Sequence, residues 1–148
     1  MPSEFRTTRS VEFSDTDMAG IVHFSRFFVF MEAAEHAFLR SLGTSVADTF
    51  EGRSVGWPRV GASCDYMNPA RFEDMLDVHL KVIRKGTRSM TYGIEFRRGD
   101  VMIARGNLST VFCECAPGQP FRAIPIPDSV ADQIQVSPEV EGDDDAEG

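Results

Sequence analysis

One long apolar helix pattern, followed by strand patterns over most of the remaining chain, is the feature that most limits what this sequence can fold into. The helix pattern covers residues 23–42 and is followed by Gly43. Glycine is the residue type best suited to the left-handed conformation that often ends a helix. One face of the predicted helix is apolar, formed by Phe24, Phe28, Met31, Phe38 and Leu42. The opposite stripe is polar, formed by Ser25, Glu32, His36 and Arg40. A helix this apolar must be covered by other structure.

Strand patterns dominate the rest of the chain. A strand is predicted before the helix, at residues 7–13, and a short polar stretch at residues 45–51 has helical character. Four further strands are predicted at residues 55–66, 76–82, 90–96 and 101–115. The connections between the last three contain glycine and have hairpin length. We therefore predict an α+β domain in which an antiparallel sheet curls around one helix.

The charge of the chain is unevenly distributed. The 148 residues carry a formal charge of -8, but six of the 23 acidic residues lie in the last ten positions. The preceding residues, with 17 acids against 15 bases, are nearly neutral. This distribution argues against a nucleic-acid surface but leaves room for a local site for an anionic ligand. We predict one domain at residues 1–136 and a disordered acidic tail at residues 137–148. Asp128 is predicted to cap a short helix at residues 129–134.

The expected location is cytoplasmic. The N-terminal residues lack the pattern of a signal peptide, and no apolar run approaches the roughly 18 residues of a membrane span. We therefore expect no membrane association. The three cysteines, Cys64, Cys113 and Cys115, are an odd number, and C-x-C supplies too few ligands for a metal site. We predict reduced structural thiols and no metal.

The segment most suited to chemistry is residues 15–24, with the sequence D-T-D-M-A-G-I-V-H-F. Its start imitates a calcium loop, but Ala19 and Arg26 occupy positions that require oxygen ligands. Two interpretations stay open. These residues can be turn and capping residues. Alternatively, a carboxylate beside the free N–H groups of a helix start can act on a carbonyl group and stabilise the charge that develops on its oxygen.

Two runs of sequence resemble the 4-hydroxybenzoyl-CoA thioesterase family. They are F-S-D-T-D-M-A-G-I-V-H-F-S-R-F at residues 13–27, with Glu32 five residues later, and M-N-P-A-R-F-E-D-M-L at residues 67–76. The similarity covers about residues 7–127. It implies a hot-dog fold, in which a curved antiparallel sheet wraps around one long central helix. It also implies homodimers or dimers of dimers that hydrolyse acyl-CoA thioesters at subunit interfaces without a metal or redox cofactor.

The resemblance also implies roles for individual residues. Asp17 matches the catalytic carboxylate, as nucleophile or general base, and the backbone N–H near Phe24 matches the oxyanion donor. Asp15 is then an orienting residue, and Gly20 meets a need for close backbone approach or unusual dihedral angles.

Two aromatic positions of the pattern differ in this chain. His23 stands where relatives often have Tyr or Trp, and Phe27 stands where many have Tyr. These two differences leave the expected mechanism unchanged, but the acyl-group specificity of the relatives cannot be carried over to this chain. For His23 itself, a role in proton transfer and a role in lining the pocket or starting the helix are both open.

Two acids on the predicted helix are second-choice catalytic residues, because other hot-dog subfamilies place a catalytic acid there. Glu35 falls on the apolar face, where a carboxylate needs a partner or a raised pKa, and Glu32 lies one turn earlier. The alternative is an acid paired across a subunit interface. His36 and His79 are predicted to be surface residues.

A cluster of cations around Gly86 is the predicted site for the phosphates of CoA. Candidates for binding substrate and CoA are Arg84, Lys85, Arg88, Ser89 and Trp57, with Arg122 and Arg71 weaker. The cluster resembles the basic turn that several relatives use for CoA, and the alternative is a set of exposed hairpin charges without a special function. The predicted function is hydrolysis of an aromatic or short-chain acyl-CoA to the free acid and CoA. The alternatives are a thioesterase for acyl groups on a carrier protein, and a noncatalytic module that binds acyl-CoA or aromatic acids.

Overall fold

The computed structural model describes residues 2–138, so most of the predicted tail, residues 139–148, lies outside the described residues. Ser137, which the prediction assigned to the tail, is fully buried. Its N–H donates to the carbonyl of Val82 at 2.8 Å, and its hydroxyl lies 3.1 Å from the carboxylate of Glu4. The packed chain therefore extends past the predicted boundary at residue 136.

The described elements follow the order strand, long helix, strands. They are β1 (Glu4–Ser10), α1 (Arg26–Ser41), β2 (Ala47–Phe50), β3 (Arg53–Gly56), β4 (Arg59–Tyr66), β5 (Met75–Lys85), β6 (Ser89–Arg98), β7 (Val101–Val111), β8 (Cys113–Glu114), β9 (Arg122–Ala123) and α2 (Asp128–Ala131). A short 3-10 turn, Phe13–Asp15, lies between β1 and α1. Neither α1 nor α2 combines the length and apolar composition that a membrane span requires.

A five-stranded antiparallel sheet in the order β1-β5-β6-β7-β4 covers α1. The alternation predicted for residues 76–82 and 90–96 is confirmed, because every second side chain from Leu76 to Val82 and from Met90 to Phe96 is buried, with His79 as an additional buried residue. The cross-strand pairs Val78↔Phe96 and Leu80↔Ile94 lie within the core. A smaller sheet in the order β2-β3-β8-β9 lies beside the first. The architecture is the predicted α+β arrangement of antiparallel strands around one long helix.

The long helix is confirmed, but it begins at Arg26 rather than at residue 23. Its buried residues are Phe27, Phe30, Met31, Ala34, Glu35, Phe38 and Leu39. The predicted apolar face was wrong about Phe24, whose side chain is 61% exposed, because Phe24 precedes the helix and does not follow its periodicity. Gly43 has φ +83°, so the predicted left-handed position after the helix is confirmed.

The prediction of a helical stretch at residues 45–51 was wrong, because these residues form a hairpin. Strand β2 pairs with β3, and the turn between them places Glu51 at φ 51° and Gly52 at φ 75°. The predicted single strand at residues 55–66 is also two strands. The interruption falls at Trp57 and Pro58, where proline has no N–H to donate to a ladder.

The structure also differs from the predictions at two strand boundaries, at the start of α2 and at His79. The run at residues 101–115 is interrupted at Phe112, and β1 lies three residues earlier than predicted. Asp128 is the first residue of α2 and not its cap, and Pro127 occupies the capping position. His79 was predicted to be at the surface but is buried beside β1, 3.3 Å from the carboxylate of Glu4. The cysteines are free, as predicted.

Candidate active site

Asp17 lies in the turn between the 3-10 turn and α1. Its Oδ1 atom accepts the N–H of Ala19 at 2.8 Å, while the N–H of Gly20 donates to its carbonyl at 3.0 Å. Asp17 is exposed, and its Oδ2 atom has no hydrogen-bond partner within residues 2–138. Gly20 has φ +79° with open space around its Cα, so the turn needs glycine for its dihedral angles and not for close approach.

Asp15 anchors this turn to the helix. Its carboxylate is fully buried, accepts the N–H of Glu12 at 2.8 Å and binds the Nε and Nη2 atoms of Arg26 at 2.9 and 2.8 Å. Its carbonyl accepts the N–H of His23 at 2.9 Å. Asp15 therefore holds both ends of the segment that carries Asp17, which is the geometry of an orienting residue.

A cavity of about 500 Å³ opens next to Asp17. Its lining includes Phe24, Phe27, Tyr66, Met67 and Asn68, and among the described residues that line it only Asp17 is charged. The volume is within the range of small-molecule sites, and the walls are predominantly apolar. The cavity suits an apolar group whose reactive atom lies near one carboxylate.

Phe24 supplies a free backbone donor to the same region. Its N–H has no acceptor within residues 2–138, because the helix begins two residues later. Its carbonyl accepts the hydroxyl of Tyr66 at 2.9 Å. A carboxylate and an unpaired N–H thus belong to residues that line one cavity, the combination that acts on a carbonyl group and stabilises a developing oxyanion.

His23 is engaged at the start of the helix. Its Nδ1 atom accepts the backbone N–H of Ser25 at 3.3 Å and lies 2.7 Å from the Ser25 hydroxyl, and its ring stacks on Phe24 with centroids 4.5 Å apart. His23 does not line the cavity. Of its two sequence interpretations, these contacts favour the role at the helix start.

The two helix acids lie apart from this cavity within one chain. Glu35 is fully buried on α1, and its Oε1 atom binds Nη2 of Arg59 at 2.6 Å. Burial raises the pKa of Glu35 to about 7, against the opposing effect of Arg59. Glu32 is exposed and lies 3.6 Å from His36, which is partly buried. Neither acid lines the Asp17 cavity.

The cations around Gly86 are exposed, but they lie at the far end of β5 from Asp17. The strand runs from Met75 to Lys85, a length on the order of 30 Å. Arg84 and Arg88 have no side-chain partner in the described part of the chain. Lys85 is engaged, since its Nζ atom donates to the carbonyls of Ala131 and Ile134 at 2.6 and 3.0 Å.

The other substrate candidates are held elsewhere. Arg122 pairs with Glu114 at 2.8 Å, and Trp57 is buried against Phe112 with ring centroids 5.0 Å apart. Ser89 begins β6 and is partly buried. Arg71 lies in the turn before β5, where its N–H donates to Asp74 at 2.9 Å. None of these residues lines the Asp17 cavity within one chain.

The structure adds Tyr66, Met67 and Asn68 to the site. They lie at the end of β4 and the start of the loop that follows it, and the N–H of Val22 donates to Ala70 in that loop at 2.8 Å. The M-N-P-A-R-F run marks this segment in the sequence. Its contact with the Asp17 segment depends on tertiary structure.

The fold, an antiparallel sheet around one long helix, is that of the hot-dog thioesterases. Residues 19–104 match the thioesterase superfamily, and the chain belongs to this family. The resemblance inferred from the sequence is thereby confirmed.

Several relatives cover nearly the whole chain. A 1,4-dihydroxy-2-naphthoyl-CoA hydrolase from Synechococcus elongatus is 26% identical over 136 residues, which are 91% of this chain and 98% of that protein. The solved structure of a 1,4-dihydroxy-2-naphthoyl-CoA thioesterase from Synechocystis is 25% identical, with TM-score 0.75 and coverage of 85% of this chain and 91% of that chain. The solved structure of a gentisyl-coenzyme A thioesterase is 28% identical, with TM-score 0.75 and coverage of 85% of this chain and 98% of that chain.

Proposed function

We propose that this acyl-CoA thioesterase acts on aromatic acyl groups and that Asp17 is its catalytic carboxylate. The observation that carries the proposal is the cavity that Asp17 shares with Phe24, whose N–H is unpaired in the described chain. The aromatic side chains of Phe24, Phe27 and Tyr66 in its wall suit a flat ring. The relatives described above, named for dihydroxynaphthoyl and gentisyl thioesters, support the same substrate class.

The reaction needs a carboxylate, a backbone N–H and water. Asp17 either attacks the thioester carbon to form a mixed anhydride that water then hydrolyses, or removes a proton from an attacking water molecule. In both routes the carbonyl oxygen becomes negatively charged, and the N–H of Phe24 stabilises that charge. The C–S bond then breaks, and CoA leaves as a thiolate that takes up a proton.

Release of free thiol from a panel of substrates tests this proposal. The panel contains benzoyl-, hydroxybenzoyl-, phenylacetyl- and 1,4-dihydroxy-2-naphthoyl-CoA, with short and long aliphatic acyl-CoAs and an acyl carrier protein thioester. We expect the highest kcat/KM for an aromatic CoA thioester. Preference for an aliphatic substrate would overturn the aromatic assignment, and turnover of the carrier-protein thioester alone would favour that alternative.

We propose that the protein is a cytoplasmic homodimer, or a dimer of dimers, that associates through β4. This strand lies at the edge of the large sheet and exposes the side chain of Val60 and about half of that of Tyr66. Unpaired edge strands of this kind readily pair with another chain. Free cysteines suit a reducing compartment. Sedimentation equilibrium should give twice or four times the mass of the chain, and a monomer at every concentration would contradict the proposal.

Arg84 and Arg88 are proposed to bind the phosphates of a CoA molecule whose acyl group occupies the Asp17 cavity of another subunit. The separation of about 30 Å along β5 favours this arrangement over one within a single chain. Replacing both arginines with Met should raise KM for the acyl-CoA about tenfold, a loss of about 1.4 kcal/mol of binding, and leave kcat unchanged.

Two controls separate phosphate binding from a general loss of activity. The corresponding acyl-pantetheine thioester has no nucleotide phosphates, so its KM should be equal in the variant and the parent. Arg53→Met removes an exposed arginine that pairs with Glu114 at 3.5 Å and should leave both substrates unaffected. An equal rise in KM for both thioesters would contradict the assignment of Arg84 and Arg88.

A further inference from the structure

Tyr66 joins the end of β4 to the start of α1 inside the proposed site. Its hydroxyl donates to the carbonyl of Phe24 at 2.9 Å, across 42 positions of sequence. Its ring lies 5.5 Å from that of Phe27 and lines the same cavity as Asp17. Tyr66 therefore has a packed ring, which sets its position, and a hydroxyl with one specific acceptor.

This hydrogen bond ties the Phe24 carbonyl to β4. The helix does not hold the Phe24 carbonyl, because the N–H of Phe28 donates instead to Ser25 at 3.2 Å. Within residues 2–138 the hydroxyl of Tyr66 is the one donor to the Phe24 carbonyl, and the Phe24 N–H has no acceptor. Two further hydrogen bonds restrain the peptide groups of Phe24 from within the segment: the N–H of Arg26 donates to the carbonyl of His23 at 2.9 Å, and the N–H of Ser25 donates to Nδ1 of His23 at 3.3 Å. Tyr66 supplies the one contact from β4.

We infer that Tyr66 is a positioning residue for hydrolysis, whose hydroxyl orients Phe24 so that its N–H meets the developing oxyanion. This inference rests on the proposed function. An oxyanion donor is effective only if its orientation is set before the reaction, since reorientation during the reaction costs free energy. The phenol is protonated and able to donate at neutral pH, since the pKa of tyrosine ordinarily lies well above neutrality and partial desolvation raises that of Tyr66 further.

A second contact, independent of Tyr66, connects β4 to α1. At the opposite end of β4, Arg59 binds Glu35 on α1 at 2.6 Å. This contact fixes the strand to the helix independently of Tyr66. Loss of the Tyr66 hydroxyl should therefore leave the fold intact and change only the orientation of the residue before the helix.

The variant Tyr66→Phe tests the inference, with Tyr92→Phe as the matched control. Tyr92 is fully buried and its hydroxyl has no partner in the described chain, so its removal breaks no hydrogen bond. We expect Tyr66→Phe to lower kcat and kcat/KM together by about tenfold, with KM within twofold of the parent. That pattern marks an interaction made in the transition state and not in the ground state. Tyr92→Phe should keep the parental kcat.

The outcomes separate this inference from the proposed function. Absence of thiol release by the parent enzyme would refute the proposed function itself. An active parent with unchanged kcat in Tyr66→Phe would overturn only the positioning role. A raised KM at parental kcat, with weaker binding of a noncleavable thioether analogue of the substrate, would assign Tyr66 to substrate binding instead. Thermal unfolding of each variant shows whether a fall in kcat reflects lost structure.

Discussion

Asp17→Asn should lower kcat for the best aromatic acyl-CoA by about 10²- to 10⁴-fold, the usual contribution of a positioned acid or base. The substitution removes the negative charge and the basicity of the side chain and keeps its size. The Oδ1 atom of asparagine can still accept the N–H of Ala19, as that of Asp17 does at 2.8 Å. Because the side chain is exposed, the melting temperature should change little.

The control for Asp17 is Asp100→Asn, which removes an exposed carboxylate from the turn between β6 and β7. Initial rates of thiol release and circular dichroism on all three proteins complete the test. Turnover near that of the parent in Asp17→Asn would refute its catalytic role. The catalytic assignment would then pass to Glu32 or Glu35 on α1.

Arg59→Met should destabilise the protein by about 1.4 kcal/mol at pH 8, because Glu35, whose pKa is about 7, can take up a proton at that cost instead of staying buried and ionised without Arg59. Glu35 is fully buried, and its Oε1 atom lies 2.6 Å from Nη2 of Arg59. Its Oε2 atom has no hydrogen-bond partner in the described chain. Urea unfolding of parent and variant at pH 8 measures the loss.

The pH dependence of this loss identifies its cause. The pKa of Glu35 is about 7 in the folded protein, whereas a glutamate without such interactions, as in the unfolded chain, has a pKa of 4.5. Between these pH values the folded state therefore holds a proton that the unfolded state releases. In the parent, this group therefore reduces stability as pH rises from 4.5 towards 7, by at most about 1.4 kcal/mol per pH unit. Below this range both states are protonated and the penalty is absent.

Loss of the Arg59 charge raises the pKa of Glu35 further, because Arg59 favours the ionised carboxylate. The cost of Arg59→Met should therefore be much smaller at pH 5 than at pH 8. The double variant with Glu35→Gln should recover most of the loss at pH 8. Arg53→Met removes a largely exposed ion pair and should cost less than about 1 kcal/mol. An equal cost of Arg59→Met at both pH values would contradict this account.

The central strands and the helix were predictable because each has a continuous pattern with a buried face. Every second residue of β6 is buried, from Met90 to Phe96, and the alternation is visible in the sequence. The hairpin of β2 and β3 was not predictable in this way. Its strands have four residues each, and β3 is stabilised by pairing with β8, more than fifty positions later.

The residues of the site also differ in whether local sequence could predict their positions. Asp15, Asp17 and Gly20 are near neighbours in the chain, so their turn and its place before a helix could be predicted from local sequence. The positions of Tyr66 and Lys85 could not. Tyr66 meets Phe24 across 42 positions, and Lys85 binds carbonyls 46 and 49 positions away.

Local sequence was sufficient to predict the order of the main elements, the loop that carries Asp17 and the family to which the chain belongs. These depend on side-chain periodicity and on short motifs, which act over a few neighbouring residues. The folded structure was needed to find the residues that line the cavity beside Asp17, the hydrogen bond of Lys85 to the Ala131 carbonyl in α2, and the burial of Glu35 against Arg59. Each of these depends on contacts between residues far apart in the chain, and such contacts form only when the sheet closes around the helix.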